Sequence, residues 1–326
     1  MLTDTFNRVH DYLRISLTNN CNLRCFYCMP EEDYQATPSA QLMQAHEIDT
    51  LVKIFVQLGV KKIRLTGGEP LIRKDAGDII TSIAKYPVQL ALTTNGIRLN
   101  HFLPTLQKAN ITSINVSLDT LNADKFNLIT KRDHYQKVID NINLLLDNNI
   151  HVKVNVVVMK GVNDSEINDF VAWTRHLPVH VRFIEFMPFA GNRWEVEKVY
   201  GWKQILGVIE EKFDVLKLKD EAHDTTKKYI VPGHTGTFAV ISTITAPFCS
   251  DCNRMRLTAD GKMKNCLFSQ EETDLLTALR SGHDIVPLIK ECITNKKAER
   301  GGQFAADMQQ IDAEHIKNRS MISIGG

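Results

Sequence analysis

Three cysteines near the start of the chain have the spacing of an iron–sulfur ligand set. Cys21, Cys25 and Cys28, here called the first triplet, are separated by three and two residues and follow an alternating apolar run, 12–17. A four-iron cluster normally takes four cysteine thiolates, so three thiolates leave one iron open. An open metal position is typical of a reactive site, whereas structural sites are closed. The alternatives are a zinc site with a distant fourth ligand and buried thiols without a metal.

A second set of three cysteines, here called the second triplet, lies in the last third of the chain. Cys249 and Cys252 are separated by two residues, and Cys266 follows beyond a predicted hairpin. The set predicts another cubane with an open iron, at the opposite rim of the fold. A structural zinc, with His234 upstream in a predicted turn, is the alternative. Cys292 lies on the apolar face of a predicted helix and is expected to be an inert core thiol.

Basic residues inside apolar strands form another informative set: Arg14, Arg64, Lys153 and Arg182. Cations are almost never fully buried unless they are paired. Four of them on different strands, joined by Arg254 and Arg256 beside the second triplet, predict a shared anionic ligand. A triphosphate fits this set because guanidinium groups bind phosphate in a bidentate manner.

Two weaker signals stand directly after predicted strands. The segment Gly67-Gly68-Glu69-Pro70 follows the second strand, and Ser117 ends the fourth. Taken alone, the first could be only a turn, and the second a hydroxyl that satisfies backbone groups.

Composition limits the class of protein. Of the 326 residues, 43% are hydrophobic and 24% are charged, and the formal net charge is +1. This balance argues against nucleic-acid or membrane partners, since no polybasic field is present. No apolar run reaches the length of a membrane span, and the first residues do not resemble a signal peptide. The cytoplasm is the expected location.

Strands and helices alternate through the first part of the chain. Strands are predicted at 12–17, 61–66, 88–93, 113–118, 152–159 and 181–187, with helices at 46–58, 79–86, 103–109, 135–148 and 166–176. This α/β pattern predicts a partial (β/α)6 TIM-type barrel over residues 1–200. Residues 201–326 are expected to form a C-terminal α+β appendage with antiparallel strands. It would carry the second cluster, close the barrel and end in a mobile Gly-Gly tail.

These features together resemble the GTP 3′,8-cyclases of molybdenum cofactor biosynthesis, a family of radical S-adenosylmethionine (SAM) enzymes. The resemblance covers nearly the whole chain. It is carried by both triplets and by the segments YLRIS (12–16), RLTGGEPL (64–71), TTNG (93–96), VKVN (152–155), RFIEFM (182–187), FCSDCNRMR (248–256) and the terminal GG (325–326).

The resemblance implies two [4Fe–4S] clusters and SAM as cofactors, and it assigns ligand contacts. SAM contacts are expected at Tyr27, Gly68, Glu69, Ser117 and Met187. GTP contacts are expected at Arg14, Arg64, Thr93, Lys153, Arg182, Arg254, Met255 and Arg256. The residues expected to assist the reaction are Arg254, Arg256, Gly325 and Gly326, the last two because the tail is expected to enter the site.

The reaction implied by the resemblance is that of a lyase. Reductive cleavage of SAM gives methionine and a 5′-deoxyadenosyl radical, which abstracts hydrogen from the 3′ carbon of GTP. The sugar radical attacks carbon 8 of guanine, and reduction gives (8S)-3′,8-cyclo-7,8-dihydroguanosine 5′-triphosphate. The cluster on the second triplet is expected to anchor the guanine.

Other partners follow from this assignment. They are a flavodoxin- or ferredoxin-like electron donor and the next enzyme of the pathway in transient contact, with a homodimer kept open. Two rival functions remain: a radical SAM peptide-modifying maturase with an auxiliary cluster, and a non-catalytic iron–sulfur or zinc scaffold.

Overall fold

Six parallel strands form the centre of the molecule. The computed structural model describes residues 1–29, 37–192, 194–304, 311 and 316–325. The central strands are β1 (Tyr12–Ser16), β2 (Lys62–Thr66), β3 (Gln89–Thr94), β4 (Ser113–Ser117), β5 (His151–Val158) and β6 (His180–Glu185). Each pairs in parallel with the next. The predicted α/β partial-barrel fold is confirmed.

Helices connect these strands and cover one face of the sheet. They are α1 (Ala45–Gln57), α2 (Ala76–Ile83), α3 (Leu99–Lys108), α4 (Ala123–Thr130), α5 (Tyr135–Asp147) and α6 (Ile167–Trp173). The sequence did not predict α4, which begins after Asn122; the Asn122 side chain accepts a hydrogen bond from the Lys125 N–H. Among the helices of the described residues, none combines the length and apolarity that crossing a bilayer requires.

The C-terminal elements extend the same sheet at both edges. They are α7 (Trp202–Glu210), β7 (Leu216–Lys217), β8 (Lys227–Ile230), β9 (Thr237–Ile241), β10 (Arg254–Leu257), β11 (Lys262–Lys264), β12 (Thr273–Asp274), α8 (Leu275–Arg280), α9 (Val286–Thr294) and α10 (Met321–Ile324). Strand β9 pairs in parallel with β6, and β10 pairs in parallel with β1. The expected antiparallel appendage is therefore only partly right. The two strands that meet the central sheet are parallel to it, and they satisfy the backbone groups of its edges.

Strand direction places the two triplets at opposite ends of the sheet. The first triplet follows β1, whereas Cys249 and Cys252 precede β10, which runs parallel to β1. Strand β11 is antiparallel to β10, so Cys266, which follows β11, returns to the end where Cys252 lies. This agrees with the expectation that the second triplet occupies the opposite rim.

Alternation along the strands separates the core from the interior of the sheet. In β5, the valines at alternate positions 152–158 are almost fully buried in the main hydrophobic core. Lys153 and Asn155 lie between them and therefore point to the opposite face. Polar side chains on the same face of the other strands form the site described next.

Candidate active site

The three thiols of the first triplet open onto one cavity of about 180 Å³ at the carboxyl ends of β1–β4, here called the first cavity. Their loop is tied to the end of α4, where Arg24 N–H donates to Thr130 O at 2.9 Å and Phe26 N–H donates to Ile129 O at 3.2 Å. Cys21 Sγ accepts hydrogen bonds from Leu23 N–H at 3.4 Å and from Asn95 Nδ2 at 3.8 Å. Donors to sulfur of this kind surround iron–sulfur ligands.

The chemistry of this donor set fits an iron cluster. Burial raises the pKa of Cys21 to about 11 and that of Cys28 to about 12, and it also raises the pKa of Cys25 well above its usual value. Without a cation, such thiols stay protonated at neutral pH. A bound metal ion deprotonates a coordinating thiol outright, so the pocket suits three thiolates only when iron supplies the compensating charge.

The Gly67-Gly68-Glu69-Pro70 loop packs directly on the first-triplet loop. Gly68 N–H donates to Thr18 O at 2.8 Å, and Glu69 N–H donates to Asn20 O at 2.7 Å. A Cβ at Gly68 would overlap the carbonyl oxygen of Asn20, so this approach of two backbones requires glycine. Gly68 also lines the first cavity, as a SAM contact would have to.

Glu69 is buried and joins the ends of β2 and β3. Its carboxylate accepts hydrogen bonds from Leu71 N–H at 3.0 Å, Thr94 Oγ1 at 2.8 Å and Asn95 N–H at 2.6 Å. Burial raises its pKa to about 7. These contacts give Glu69 a part in placing Asn95, which donates to Cys21 Sγ; its role as a direct SAM contact stays a prediction.

Tyr27 and Ser117 also line the first cavity, together with Asp119, which the sequence did not single out. Tyr27 OH donates to Asp119 Oδ2 at 2.6 Å, and Val157 N–H donates to Asp119 Oδ1 at 2.9 Å. Burial raises the pKa of Asp119 to about 6. Met187, the remaining expected SAM contact, packs in a separate apolar cluster with Phe189, Ile244 and Phe268.

Seven basic side chains, here called the cation cluster, meet between the two triplets: Arg14, Lys62, Arg64, Lys153, Arg182, Arg254 and Arg256. Arg14 on β1 lies opposite Arg64 on β2 and Arg256 on β10. Tyr12, two residues before Arg14 on the same face of β1, lies opposite Lys62 and Arg254. These pairings place Arg14, Arg64, Arg254 and Arg256 on adjoining strands, and mutual charge effects link Lys153 and Arg182 to them. Their shared contact with an anionic ligand stays a prediction.

Neutral groups of the strands hold several of these cations in place. Arg64 donates from Nε to Tyr12 OH at 2.6 Å and from Nη1 to Leu92 O at 2.8 Å. Thr93 Oγ1 accepts from Arg64 Nη1 at 3.4 Å, and Thr93 also lines the first cavity. Arg182 donates to Asn155 Oδ1. Met255 is fully buried in the hydrophobic core, so any contact to GTP would involve its backbone.

Mutual repulsion shows how closely the cluster is packed. Burial, followed by repulsion from Arg182, lowers the pKa of Lys153 to about 8. Burial, followed by repulsion from Arg64, lowers the pKa of Arg182 to about 9. Burial would raise the pKa of Tyr12, but three guanidinium groups, Arg64 foremost, hold it down to about 7. Because β6 and β2 are not neighbours in the sheet, these effects also indicate that the sheet curls around the cluster.

The cation cluster has the character of a polyanion site. Within the described ranges, no carboxylate lies at ion-pair distance from Lys62, Arg64, Lys153, Arg182 or Arg254. In the same part of the chain, the buried Nε groups of Arg182 and Arg254 have no hydrogen-bond acceptor. Buried cations without an anionic counter-charge are costly, so this cluster is electrostatically suited to an anionic ligand, whose binding stays a prediction.

The thiols of the second triplet line another cavity, of about 80 Å³, together with Arg254 and Arg256. Arg300 N–H donates to Cys249 Sγ at 3.4 Å, and Lys296 Nζ donates to Cys252 Sγ at 3.6 Å. Charged and backbone donors to the sulfurs fit an iron cluster here as well.

His234 and Cys292, which the sequence analysis placed outside the cluster ligand sets, lie in other parts of the structure. His234 is bonded through Nδ1 to Thr174 Oγ1 at 2.9 Å, and its ring packs on Phe213. His234 is not among the described residues that line the cavity of the second triplet, so the structure gives no support to it as a fourth zinc ligand. Cys292 is buried in the main core, as expected for an inert thiol.

The end of the chain reaches the interior of the sheet. Met321 and Ile322 of α10 line the first cavity, and Arg256 Nη1 donates to Gly325 O. Gly325 has a φ of +80°, and a Cβ there would overlap Thr66 Oγ1. Gly326 lies outside the described residues. The tail thus connects the first cavity to the cation cluster.

Several residues of the site were missed from the sequence although some left a signal. Tyr12 and Lys62 precede Arg14 and Arg64 by two positions on their strands, so period-two alternation places them on the same face. Asp119 and Lys296 left no local signal, because their positions depend on distant segments.

Profiles of two protein families match adjoining parts of the chain. The profile of the radical SAM superfamily matches residues 15–174, and that of molybdenum cofactor synthesis C matches residues 179–301. The fold also resembles that of SuiB from Streptococcus suis, with a TM-score of 0.63 at 14% identity, covering 91% of this chain and 68% of SuiB.

Curated relatives match over the whole length of the chain. Molybdenum cofactor biosynthesis protein 1 of Dictyostelium discoideum is 45% identical over 100% of this chain, which spans about half (52%) of that longer protein. The mitochondrial GTP 3′,8-cyclase of Arabidopsis thaliana is 44% identical over 100% of this chain and 84% of the relative. The GTP 3′,8-cyclase of Listeria welshimeri is 38% identical over 100% and 99%. The chain therefore belongs to the GTP 3′,8-cyclase family within the radical SAM superfamily.

Proposed function

We propose that this chain converts GTP to (8S)-3′,8-cyclo-7,8-dihydroguanosine 5′-triphosphate, the first step of molybdenum cofactor biosynthesis. The observation that carries the proposal is the cation cluster between the two triplets. A triphosphate held there would place its nucleoside between a site for SAM and a site for a second cluster. The names of the relatives from Arabidopsis and Listeria agree with this substrate and reaction.

The first cavity is the proposed SAM site. When bound, SAM and the [4Fe–4S] cluster of the first triplet together supply the 5′-deoxyadenosyl radical that starts the reaction. Gly68 allows its loop to pack directly on the cysteine loop beside the cavity, and Ser117 offers a hydroxyl at the end of β4. Tyr27 is fixed by Asp119, so its ring forms a rigid wall of the pocket.

The cation cluster is the proposed triphosphate site. Arg14, Lys62, Arg64, Lys153 and Arg182 would neutralise the phosphates, while Arg254 and Arg256 lie nearest the second triplet. Binding between fixed strands orients the ribose and guanine for reaction and thereby lowers the entropic part of the barrier.

Assignments of domain, location and partners complete the proposal. Residues 1–200 would form the SAM-binding unit, and residues 201–326 would complete the GTP site. We place the protein in the cytoplasm with an electron donor of the flavodoxin or ferredoxin type, passing its product to the next pathway enzyme. A homodimer is the assembly to test by light scattering.

A peptide-modifying maturase is the less favoured alternative. The similarity to SuiB concerns the fold alone, at 14% identity. Modifying a peptide does not require seven basic side chains gathered inside the sheet, whereas binding a nucleoside triphosphate requires several cations. The cation cluster and the matches to the two family profiles also argue against a non-catalytic scaffold.

The deciding experiment is anaerobic reconstitution followed by assay with SAM, dithionite and GTP. We expect about eight irons per chain, four for each triplet, and formation of 5′-deoxyadenosine together with the cyclised nucleotide. Iron and sulfide analysis and mass spectrometry provide the measurement. A fully metallated protein with one zinc and one cluster would contradict the assignment of the second triplet.

Replacing Arg254 with alanine should weaken GTP binding without affecting SAM. A charged hydrogen bond contributes roughly 1.5–3 kcal/mol, so the dissociation constant for GTP should rise about one to two decades. Isothermal titration under anaerobic conditions measures both ligands. The matched control is Arg175→Ala, at an exposed position outside the cation cluster. Unchanged GTP affinity with impaired SAM binding would contradict the assignment of Arg254 to the GTP site.

A further inference from the structure

Lys296 is a buried lysine directed at a thiol of the second triplet. It is only 4% exposed, although lysine is almost never buried without a partner. Its Nζ lies 3.1 Å from Arg254 O, 3.6 Å from Cys252 Sγ and 3.4 Å from His10 Nδ1. Across the part of the chain that the structure describes, no carboxylate forms an ion pair with this ammonium group. The contacts of the Lys296 ammonium group are thus a carbonyl oxygen, an imidazole nitrogen and the sulfur of Cys252.

The N-terminal segment holds Lys296 in this position. Asp4 accepts hydrogen bonds from Arg8 Nε at 2.6 Å, and His10 Nε2 lies 3.0 Å from Asp4 Oδ2. Arg8 in turn donates to Cys249 O at 2.7 Å and to the carbonyl groups of residues 297 and 298 at 2.9 and 2.8 Å. Residues 3–10 thus tie the loop of the second triplet to the backbone that carries Lys296.

We propose that Lys296 is a positioning residue that raises the reduction potential of the cluster on the second triplet. The inference rests on the proposed function in so far as that triplet must hold a cluster. Reduction adds a negative charge to a cluster, so a cationic donor at a ligating sulfur stabilises the reduced form. Hydrogen bonds to sulfur and nearby charge are known determinants of cluster potential.

The first triplet has the opposite electrostatic surroundings. Its sulfur donors, Leu23 N–H and Asn95 Nδ2, are neutral. The carboxyl group of Asp119 lines the same cavity, and Glu69 holds the Asn95 backbone. Two clusters of one chemical type would therefore differ in potential, and the cluster beside Lys296 would be the easier one to reduce.

The test is an EPR-monitored redox titration of the reconstituted protein with the substitution Lys296→Met. Methionine keeps an unbranched side chain one atom shorter than that of lysine and removes the charge and the donors. The midpoint of the second cluster should become more negative, and that of the first cluster should stay unchanged. Repeating the titration with Cys21, Cys25 and Cys28 all replaced by alanine isolates the second cluster. The readout requires no GTP turnover, so it is distinct from a failure of the proposed reaction.

Two further variants separate charge from packing. Lys297→Met changes the neighbouring exposed lysine and should leave both midpoints unchanged. Lys296→Arg keeps a cationic donor and should recover most of the lost potential. Full iron content with an unchanged midpoint in Lys296→Met would overturn the proposal.

A measurement on the unsubstituted protein covers the case in which Lys296→Met fails to hold its cluster. In protein labelled with ¹⁵N-lysine, pulsed EPR of the reduced second cluster should detect weak coupling to one lysine nitrogen. The coupling should persist in Lys297→Met. If no lysine nitrogen couples to that cluster, Lys296 does not donate to its sulfur and the proposal is wrong.

Discussion

Replacing any one of Cys21, Cys25 and Cys28 with alanine should abolish SAM cleavage altogether. Among the described residues, these are the only thiols that line the first cavity with Gly68 and Ser117. A cluster that loses one of three protein ligands is no longer held with a single open iron. Replacing Cys249, Cys252 or Cys266 should instead leave slow, uncoupled cleavage without cyclisation, because these thiols lie at the other end of the sheet. Quantification of 5′-deoxyadenosine and of cyclised nucleotide separates the two outcomes.

Cys292 supplies the matched control for this series. It is the one cysteine outside both triplets, and its side chain is buried in the main core against β11. Cys292→Ala removes a thiol that is more deeply buried than those of the triplets and that lines neither cavity, so iron content and both products should be retained. Normal amounts of 5′-deoxyadenosine from Cys25→Ala would show that the first triplet does not hold the reactive cluster.

The central sheet could be predicted because its signals are local. Each central strand carries alternating or nearly continuous apolar side chains, and β5, predicted at 152–159, lies at His151–Val158. Helix α4 was missed because its eight residues contain only Phe126, Leu128 and Ile129 as large apolar side chains, and one of them is exposed. A short helix of that kind has no clear apolar stripe.

The arrangement of the C-terminal strands could not be read from the sequence. Local alternation predicts that β9 is a strand but does not specify its neighbour, and the partner β6 is more than fifty residues away. Lys296 shows the same limit at the level of one side chain. It follows α9 beside a second lysine and would be taken as exposed, yet segment 3–10 covers it.

For the candidate site, too, local features could be predicted and long-range contacts could not. Residue type and spacing were enough to identify both triplets and the strand-borne cations, since those chemistries need particular side chains. The support for them comes from long-range contacts, such as Tyr12 OH to Arg64, Asp119 to Tyr27 and Glu69 to Asn95. Such contacts join segments that the chain brings together only when the sheet forms.

Substitution of Gly325 by alanine should suppress cyclisation by about a hundredfold or more, since small misplacements near reacting atoms can cost that much. Alanine is unfavourable at a φ of +80°, and its Cβ would overlap Thr66 Oγ1. The tail would then leave the interior, and Arg256 would lose its contact with Gly325 O. GTP affinity and the iron content should stay close to those of the unsubstituted protein, while 5′-deoxyadenosine formation becomes uncoupled.

A second glycine allows backbone strain to be separated from expulsion of the tail. Gly282 has a φ of +73° but no atom within 4 Å of the position that a Cβ would occupy. Gly282→Ala therefore carries a similar conformational cost without the clash, and its cyclisation rate should match that of the unsubstituted protein. If Gly325→Ala also cyclised GTP at that rate, the position of the tail would not matter for the reaction.

Supplying the tail in trans tests whether its local sequence is sufficient. A chain that ends at Arg319 keeps the ion pairs of Arg319 with Asp260 and Glu272 but lacks α10 and both terminal glycines. Removing residues 320–326 should suppress cyclisation as Gly325→Ala does, because nothing then bridges the first cavity and Arg256. The synthetic peptide SMISIGG in excess should restore part of the rate, and the same peptide with alanine in place of Gly325 should not. Equal rescue by both peptides would show that the peptide acts without entering the narrow space beside Thr66.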